Sequence, residues 1–159
     1  MTYPPPRYRG STGETSATYR PADTAPELRH ASGGGAHYLA TGASTNGQFG
    51  LYRLDMGATP SGPAPHFHRS ISESFFVLSG TIRIYDGRSW IDCGPGDFVH
   101  VPEGGVHGFR NESGEPASML LHFAPGAPRE GYFEGIHRVA EMSEEERTEF
   151  FLTHDTYWV

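Results

Sequence analysis

From His37 onward, apolar and polar positions alternate in short runs separated by turn residues. "AHYLATG" and "GQFGLYRLDMG" read as strands, after which Pro60 to Pro65 break the pattern. "ESFFVLSGTIRIYDGRSWIDCG" holds two turn points, Ser79-Gly80 and Asp86-Gly87, and the second favours a tight hairpin. "DFVHVP", "HGFRN" and "ASMLLHFAP" continue the rhythm. Strands this short and this evenly spaced predict an all-β sandwich or small barrel. Helix signals are confined to the end of the chain. Ser143 followed by Glu146 is a capping-box pattern ahead of "EERTEFFLTH", and Glu144, Glu145 and Glu146 suit the first turn of a helix dipole. That short C-terminal helix is expected to act as a lid or brace on one face of the barrel.

Before His37 the pattern is absent. Residues 1–35 are rich in Pro, Ser, Thr and Gly, with "YPPPRYRG" and "ASGGG" near the two ends. Such a stretch cannot build a core by itself. It is expected to be an extended or mobile arm, or a segment laid across the domain or a second subunit through Tyr3, Tyr8 and Tyr19. The chain thus divides into an arm (1–35), a barrel (36–128) and a C-terminal segment with a short helix (129–159).

Composition narrows the classes. A length of 159 residues suits one domain able to fold around its own core. Gly (21) and Pro (13) are enriched but short of a fibrous or disordered range, in keeping with many tight turns. A net charge of −7 with no Lys/Arg cluster argues against nucleic acid and against an anionic membrane surface. No apolar run approaches the roughly 18 residues of a membrane span, and the first residues carry no apolar signal-peptide core. One cysteine, Cys93, allows no internal disulfide, so a cytoplasmic location is expected. Cys93 itself has no basic neighbour to activate it and reads as a small core residue.

The candidate chemistry lies in "APHFHRSISESFFVLSG". On an extended segment, His66 and His68 share a face at roughly 6.5 Å spacing. Two imidazoles so placed can converge on one ion with bonds of about 2.1 Å. Glu73, Phe75 and Val77 share a face of the next strand, and a carboxylate among apolar groups is costly unless a cation compensates it. A second stretch, "GPGDFVHVPEGGVHGFRNES", brings His107 back on a returning strand as a candidate fourth ligand.

Here the residues resemble a known family. The first motif of the cupin superfamily, G-x5-H-x-H-x3,4-E-x6-G, is met by His66, His68, Glu73 and Gly80. The second, G-x5-P-x-G-x2-H-x3-N, is met by Gly96, Pro102, Gly104, His107 and Asn111. One position departs: Pro60 stands where the first motif opens with Gly, and Gly57 or Gly62 is expected to supply the turn. The resemblance covers residues 45 to 125 and is similar to single-domain, quercetin 2,3-dioxygenase-like cupins. It implies a double-stranded β-helix (jelly-roll-like) barrel, with His66, His68, Glu73 and His107 as metal ligands. It further implies one divalent first-row transition metal (Fe, Ni, Mn, Cu or Zn) and Glu73 as general base.

The function this implies is a metal-dependent oxygenase of dioxygenase type, taking O2 and a small aromatic or enol-type metabolite. The alternatives are a redox-neutral isomerase or polyketide cyclase, and a small-molecule-binding cupin without turnover. A homodimer joined through the N-terminal arm is also expected by resemblance. Other residues carry weaker signals. Phe75, Phe109, Met119, Leu121 and Phe123 are candidates for a pocket wall, and one of Tyr52 and Arg53 for reaching it. His100 is expected to face away from the ligands, and His122 either lines the cavity or points to solvent. His30, His37, His137 and His154 carry no spacing signal.

Overall fold

The period-two pattern is realised as eleven strands in a computed structural model that describes all of residues 1–159. They are β1 (Leu28–Arg29), β2 (Gly34–Ala40), β3 (Gly50–Met56), β4 (His66–Phe67), β5 (Ser72–Ser79) and β6 (Ile82–Tyr85). Then follow β7 (Trp90–Cys93), β8 (Phe98–Val101), β9 (Gly108–Arg110), β10 (Ala117–Ala124) and β11 (Tyr157–Trp158). A six-stranded sheet runs β1-β2-β3-β10-β5-β8, a three-stranded sheet runs β7-β6-β9, and β11 pairs with β4. Every pairing is antiparallel.

Alternation decides which side chains meet between the sheets. In β10, Ala117, Met119, Leu121 and Phe123 are buried, while the residues between them are half-buried on the other face. In β5, Glu73, Phe75 and Val77 point inward, as their spacing requires. These residues and Tyr52 meet Ile82, Ile84, Cys93 and Phe109 from the smaller sheet. Full burial of each large apolar side chain contributes about 1.5–3 kcal/mol, so this interior dominates the stability of the barrel. Burial also pushes the Cys93 thiol pKa up, consistent with a core role.

Turn chemistry sets the registers. Gly80 leaves β5 at φ +71, and a Cβ there would lie 2.6 Å from the Pro116 carbonyl oxygen. Between β6 and β7 the Asp86 side chain accepts hydrogen bonds from the amides of Arg88 and Ser89, both at 2.8 Å. At the departure from the first motif, Gly62 supplies the turn: its φ is +134, and a Cβ would collide with the Phe109 carbonyl oxygen.

Residues before Leu28 carry no regular secondary structure, and Tyr3, Tyr8 and Tyr19 are exposed. The stretch is tied only near its end, where Glu27 pairs with Arg20 at 2.7 Å and accepts from the Tyr38 amide at 2.8 Å.

The C-terminal segment holds more helix than its sequence signals. α1 (Glu130–Gly135) leads into a 3-10 turn (Ile136–Glu141), and α2 (Glu144–Thr153) follows. α2 has the expected capping box: the Glu146 amide donates to Ser143 Oγ at 3.2 Å and the Ser143 amide to Glu146 Oε2 at 2.8 Å. α1 was not expected, since two glycines in six residues give weak intrinsic propensity. Tertiary contacts hold it. Phe133 packs 5.1 Å from the Tyr52 ring, and Tyr52 donates its hydroxyl proton to Glu130 at 2.8 Å. No helix is long and apolar enough to cross a membrane.

Candidate metal centre

His66, His68, Glu73 and His107 arrive from three separate stretches of chain and meet inside the barrel. His66 and His107 form an isolated antiparallel bridge in which each amide donates to the other's carbonyl at 2.8 Å. Directly opposed residues in such a pair project to one face. His68 lies two positions beyond His66, and its carbonyl accepts from the Gly104 amide at 2.7 Å. Glu73 opens β5 on its inward face. All four side chains are buried, and one nitrogen or oxygen from each lies within 4.8 Å of the others.

The second nitrogen of each ring fixes its orientation. Nδ1 of His66 donates to the Ala64 carbonyl at 2.8 Å, that of His107 to Gly105 at 2.9 Å, and that of His68 to Asp155 at 2.6 Å. A carbonyl oxygen can only accept, so each Nδ1 carries a proton, and each ring when neutral presents an Nε2 lone pair inward. Glu73 Oε2 then lies 3.1 Å from His68 Nε2 and 2.9 Å from His107 Nε2. These contacts set acceptor against acceptor unless a cation or a proton lies between them. A bound metal ion is one answer to that arrangement. Three imidazoles and a carboxylate without sulfur suit a divalent first-row ion.

The electrostatics point the same way. Burial, helped by the neighbouring His107, pushes the His66 pKa down to about 4, so this ring is a neutral donor at pH 7. Burial works to raise Glu73, but the imidazoles of His107 and His68 hold its carboxyl well below the usual carboxylate range. His107 is pushed up by Glu73 although burial opposes it. The site is built for an anionic carboxylate with positive charge beside it.

A cavity of about 440 Å³ opens on His66 and Glu73. Of the expected wall residues, Phe109, Leu121 and Phe123 line it. Phe75 and Met119 do not; both are wholly buried in the core. Neither Tyr52 nor Arg53 lines it. Tyr52 is buried among core aromatics, and Arg53 points to the other face of its strand, where it meets His37 and Asp55. His100 bonds to Ser74, and His122 stacks on Phe49, both away from the cavity. His30, by contrast, lines the cavity despite its lack of a spacing signal.

Residues between Ser32 and Pro63 form one side of the wall, and another comes from the C-terminal segment, which no local motif marks as part of the site. Phe133, Ile136, Phe151 and Trp158 all face the cavity. β11 pairs Trp158 with His66 and Tyr157 with Phe67, and the Trp158 ring lies 5.2 Å from that of His66. Asp155 accepts at its carbonyl from His68. Its carboxylate also accepts from the Arg69 amide at 3.0 Å, the Ser70 amide at 2.8 Å and the Ser70 hydroxyl at 2.6 Å. Arg129 is buried and lines the cavity, with its guanidinium carbon 4.4 Å from the Tyr132 ring centroid and 5.1 Å from that of Phe123. The only sequence signal for any of these was the aromatic cluster in "HDTYWV".

Residues 50–123 match the cupin domain family. The quercetin 2,3-dioxygenase of Bacillus subtilis (strain 168) is 32% identical over 75 residues, which are 47% of this chain and 22% of that protein. The match therefore spans about a fifth of that relative's length. Among solved structures, a predicted oxalate decarboxylase from Thermotoga maritima superposes with a TM-score of 0.58 at 17% identity, covering 69% of this chain and 99% of that one. KdgF from Halomonas sp. superposes with a TM-score of 0.51 at 17% identity, covering 58% of this chain and 78% of that one. At such identities the likeness is one of fold. Residues 50–123 thus carry the match to the cupin domain family, and the architecture around them is the cupin double-stranded β-helix.

Proposed function

We propose that this cupin is a metal-dependent enzyme of dioxygenase type, acting on a small aromatic or enol-type metabolite. The observation that carries the reading is the buried cluster of three Nε2 atoms and one carboxylate opening into an apolar and aromatic cavity. His66, His68, Glu73 and His107 would hold the ion. A divalent metal there supplies Lewis acidity that lowers the pKa of an enol or phenol hydroxyl, and a redox-active one supplies a place for reaction with O2. Glu73 takes the hydroxyl proton as general base. Phe109, Leu121 and Phe123 exclude water and hold a flat ligand against the cluster, and Trp158 steadies the His66 ring. The 32% identity to a quercetin 2,3-dioxygenase supports the reaction class over the aligned stretch.

The test is metal analysis of protein purified without added metal, then oxygen uptake with a flavonol and polyphenol panel after loading Fe, Ni, Mn or Cu. Uptake that depends on the metal and is lost in Glu73→Gln is expected. No uptake with any redox-active metal would shift the assignment to a redox-neutral isomerase or cyclase, or to a binding protein without turnover.

We also infer a homodimer. The outward faces of β5 and β8 expose Phe76 and Phe98, which lie directly opposite one another, with Leu78 beside them. β8 is a free sheet edge, which supports pairing with a second copy. Size exclusion of the full chain and of a chain lacking residues 1–27 measures this. A dimer unchanged by the truncation would remove the arm from the interface.

A further inference from the structure

Arg129 is 4% exposed, yet no carboxylate pairs with it. A buried guanidinium with no carboxylate in contact is costly, and the two acids that act on it at longer range, Glu73 and Asp155, are otherwise engaged. Glu73 is held among imidazoles, and the Asp155 carboxylate is occupied by Arg69 and Ser70. Nη1 donates to the His154 carbonyl at 2.6 Å. Nε is buried with no partner, and Nη2 makes no hydrogen bond to the protein. These last two nitrogens share one edge of the guanidinium, the edge that matches the two oxygens of a carboxylate.

The residue borders the cavity. Arg129 lines it together with Glu73, and the guanidinium lies against the ring of Phe123, which pairs with Glu73 across β10 and β5. The rings of Tyr132 and Phe123 pack against the guanidinium, and its Nε–Nη2 edge has no protein partner.

We infer that Arg129 is an anion subsite and that the natural ligand of this cavity carries a carboxylate, bound at Arg129 while its aromatic or enol portion faces the His66–His68–Glu73–His107 cluster. The inference rests on reading the cavity as the substrate site. It narrows the ligand class from any small aromatic to an aromatic or enolic acid. With a divalent ion held by the cluster, the cavity carries two cationic groups against one carboxylate, which further favours an anionic ligand.

The test is calorimetric titration of the full chain with benzoate and with benzamide, first after chelator dialysis and then with zinc added. The two probes have the same shape and differ in charge. Benzoate is expected to bind at least about tenfold more tightly, the scale of one charge-assisted hydrogen bond. Arg129→Gln should erase that preference while leaving benzamide binding within about twofold. Arg129→Lys should retain part of it and serves as the readout if the Gln variant does not fold. Equal binding of the two probes by the wild-type protein, binding of neither, or a preference that survives in Arg129→Gln would each overturn the subsite. The oxygenase reading fails separately. Metal-dependent oxygen uptake on a neutral flavonol by a protein that binds benzoate and benzamide equally removes the subsite and keeps the enzyme. A benzoate preference with no uptake by any redox metal does the reverse.

Discussion

Two histidine–carboxylate contacts of nearly equal length lie on opposite faces of the large sheet. Inside, His107 Nε2 is 2.9 Å from Glu73; on the other face, His37 Nε2 is 3.0 Å from Asp55. The difference lies in what else reaches the pair. Arg53 Nη2 donates to His37 Nε2 at 2.7 Å and to Asp55 at 3.2 Å, and Ser118 donates to the second Asp55 oxygen at 2.7 Å. The outer cluster therefore contains its own cation, and the Asp55 side chain is 34% exposed. The inner cluster has three rings whose Nδ1 protons are committed to backbone carbonyls, no arginine or lysine hydrogen-bonded to Glu73, and a Glu73 side chain only 4% exposed. A histidine beside a carboxylate thus becomes a candidate metal site where no arginine or lysine bonds to the pair itself.

Breaking the inner cluster should have the largest effect. His107→Ala is expected to lower metal affinity by on the order of 100-fold or more, whereas His37→Ala leaves metal content unchanged. Elemental analysis and competition with a chelating dye measure both. If the two variants lose metal equally, the distinction between the faces is wrong. Asp155→Ala comes next. It frees the segment that orients His68 without altering any of the four clustered side chains, and the expected loss is about 10- to 100-fold in metal affinity with the fold retained by circular dichroism. Phe123→Ala tests the wall by removing the surface beneath Arg129. About 3–5 kcal/mol of stability is expected to be lost in chemical denaturation, with metal stoichiometry unchanged in the fraction that folds.

The smallest effect concerns pH and the outer pair. Partial burial works to raise Asp55, but the Ser118 hydroxyl, Arg53 and His37 together hold its carboxyl below the ordinary value. A carboxylate depressed in the folded state contributes fully above its unfolded pKa of about 4, and the contribution disappears as pH falls through the lower folded value. Asp55→Asn should flatten that acid limb by no more than about 1 kcal/mol, since the group is a third exposed. Urea titrations between pH 7 and 3 would show it. An acid limb unchanged in Asp55→Asn would mean that the outer pair carries no net stabilisation.

Much of the barrel was readable along the chain because strand patterning is local. Alternation in "ASMLLHFA" assigns inner and outer faces without reference to any partner. The capping box at Ser143 works within four residues and forms as read. α1 was not readable, because its stability comes from Tyr52 and Phe123 rather than from Glu130–Gly135 itself. The pocket wall was read in part. Alternation placed Phe75 and Phe123 alike on inner faces, but only Phe123 borders open space, and that depends on what packs opposite.

The sequence alone determined the inward faces of the strands, the histidine pair two residues apart on one extended segment, and a carboxylate among apolar neighbours. These follow from periodicities that act over a few residues. Only the tertiary structure decided that Asp155 would hold His68 from 87 positions away, that Trp158 would lie beside His66, and that Arg129 would be buried at the cavity with no carboxylate in contact. Those contacts depend on how the C-terminal segment returns across the barrel, and packing, not local pattern, sets that path.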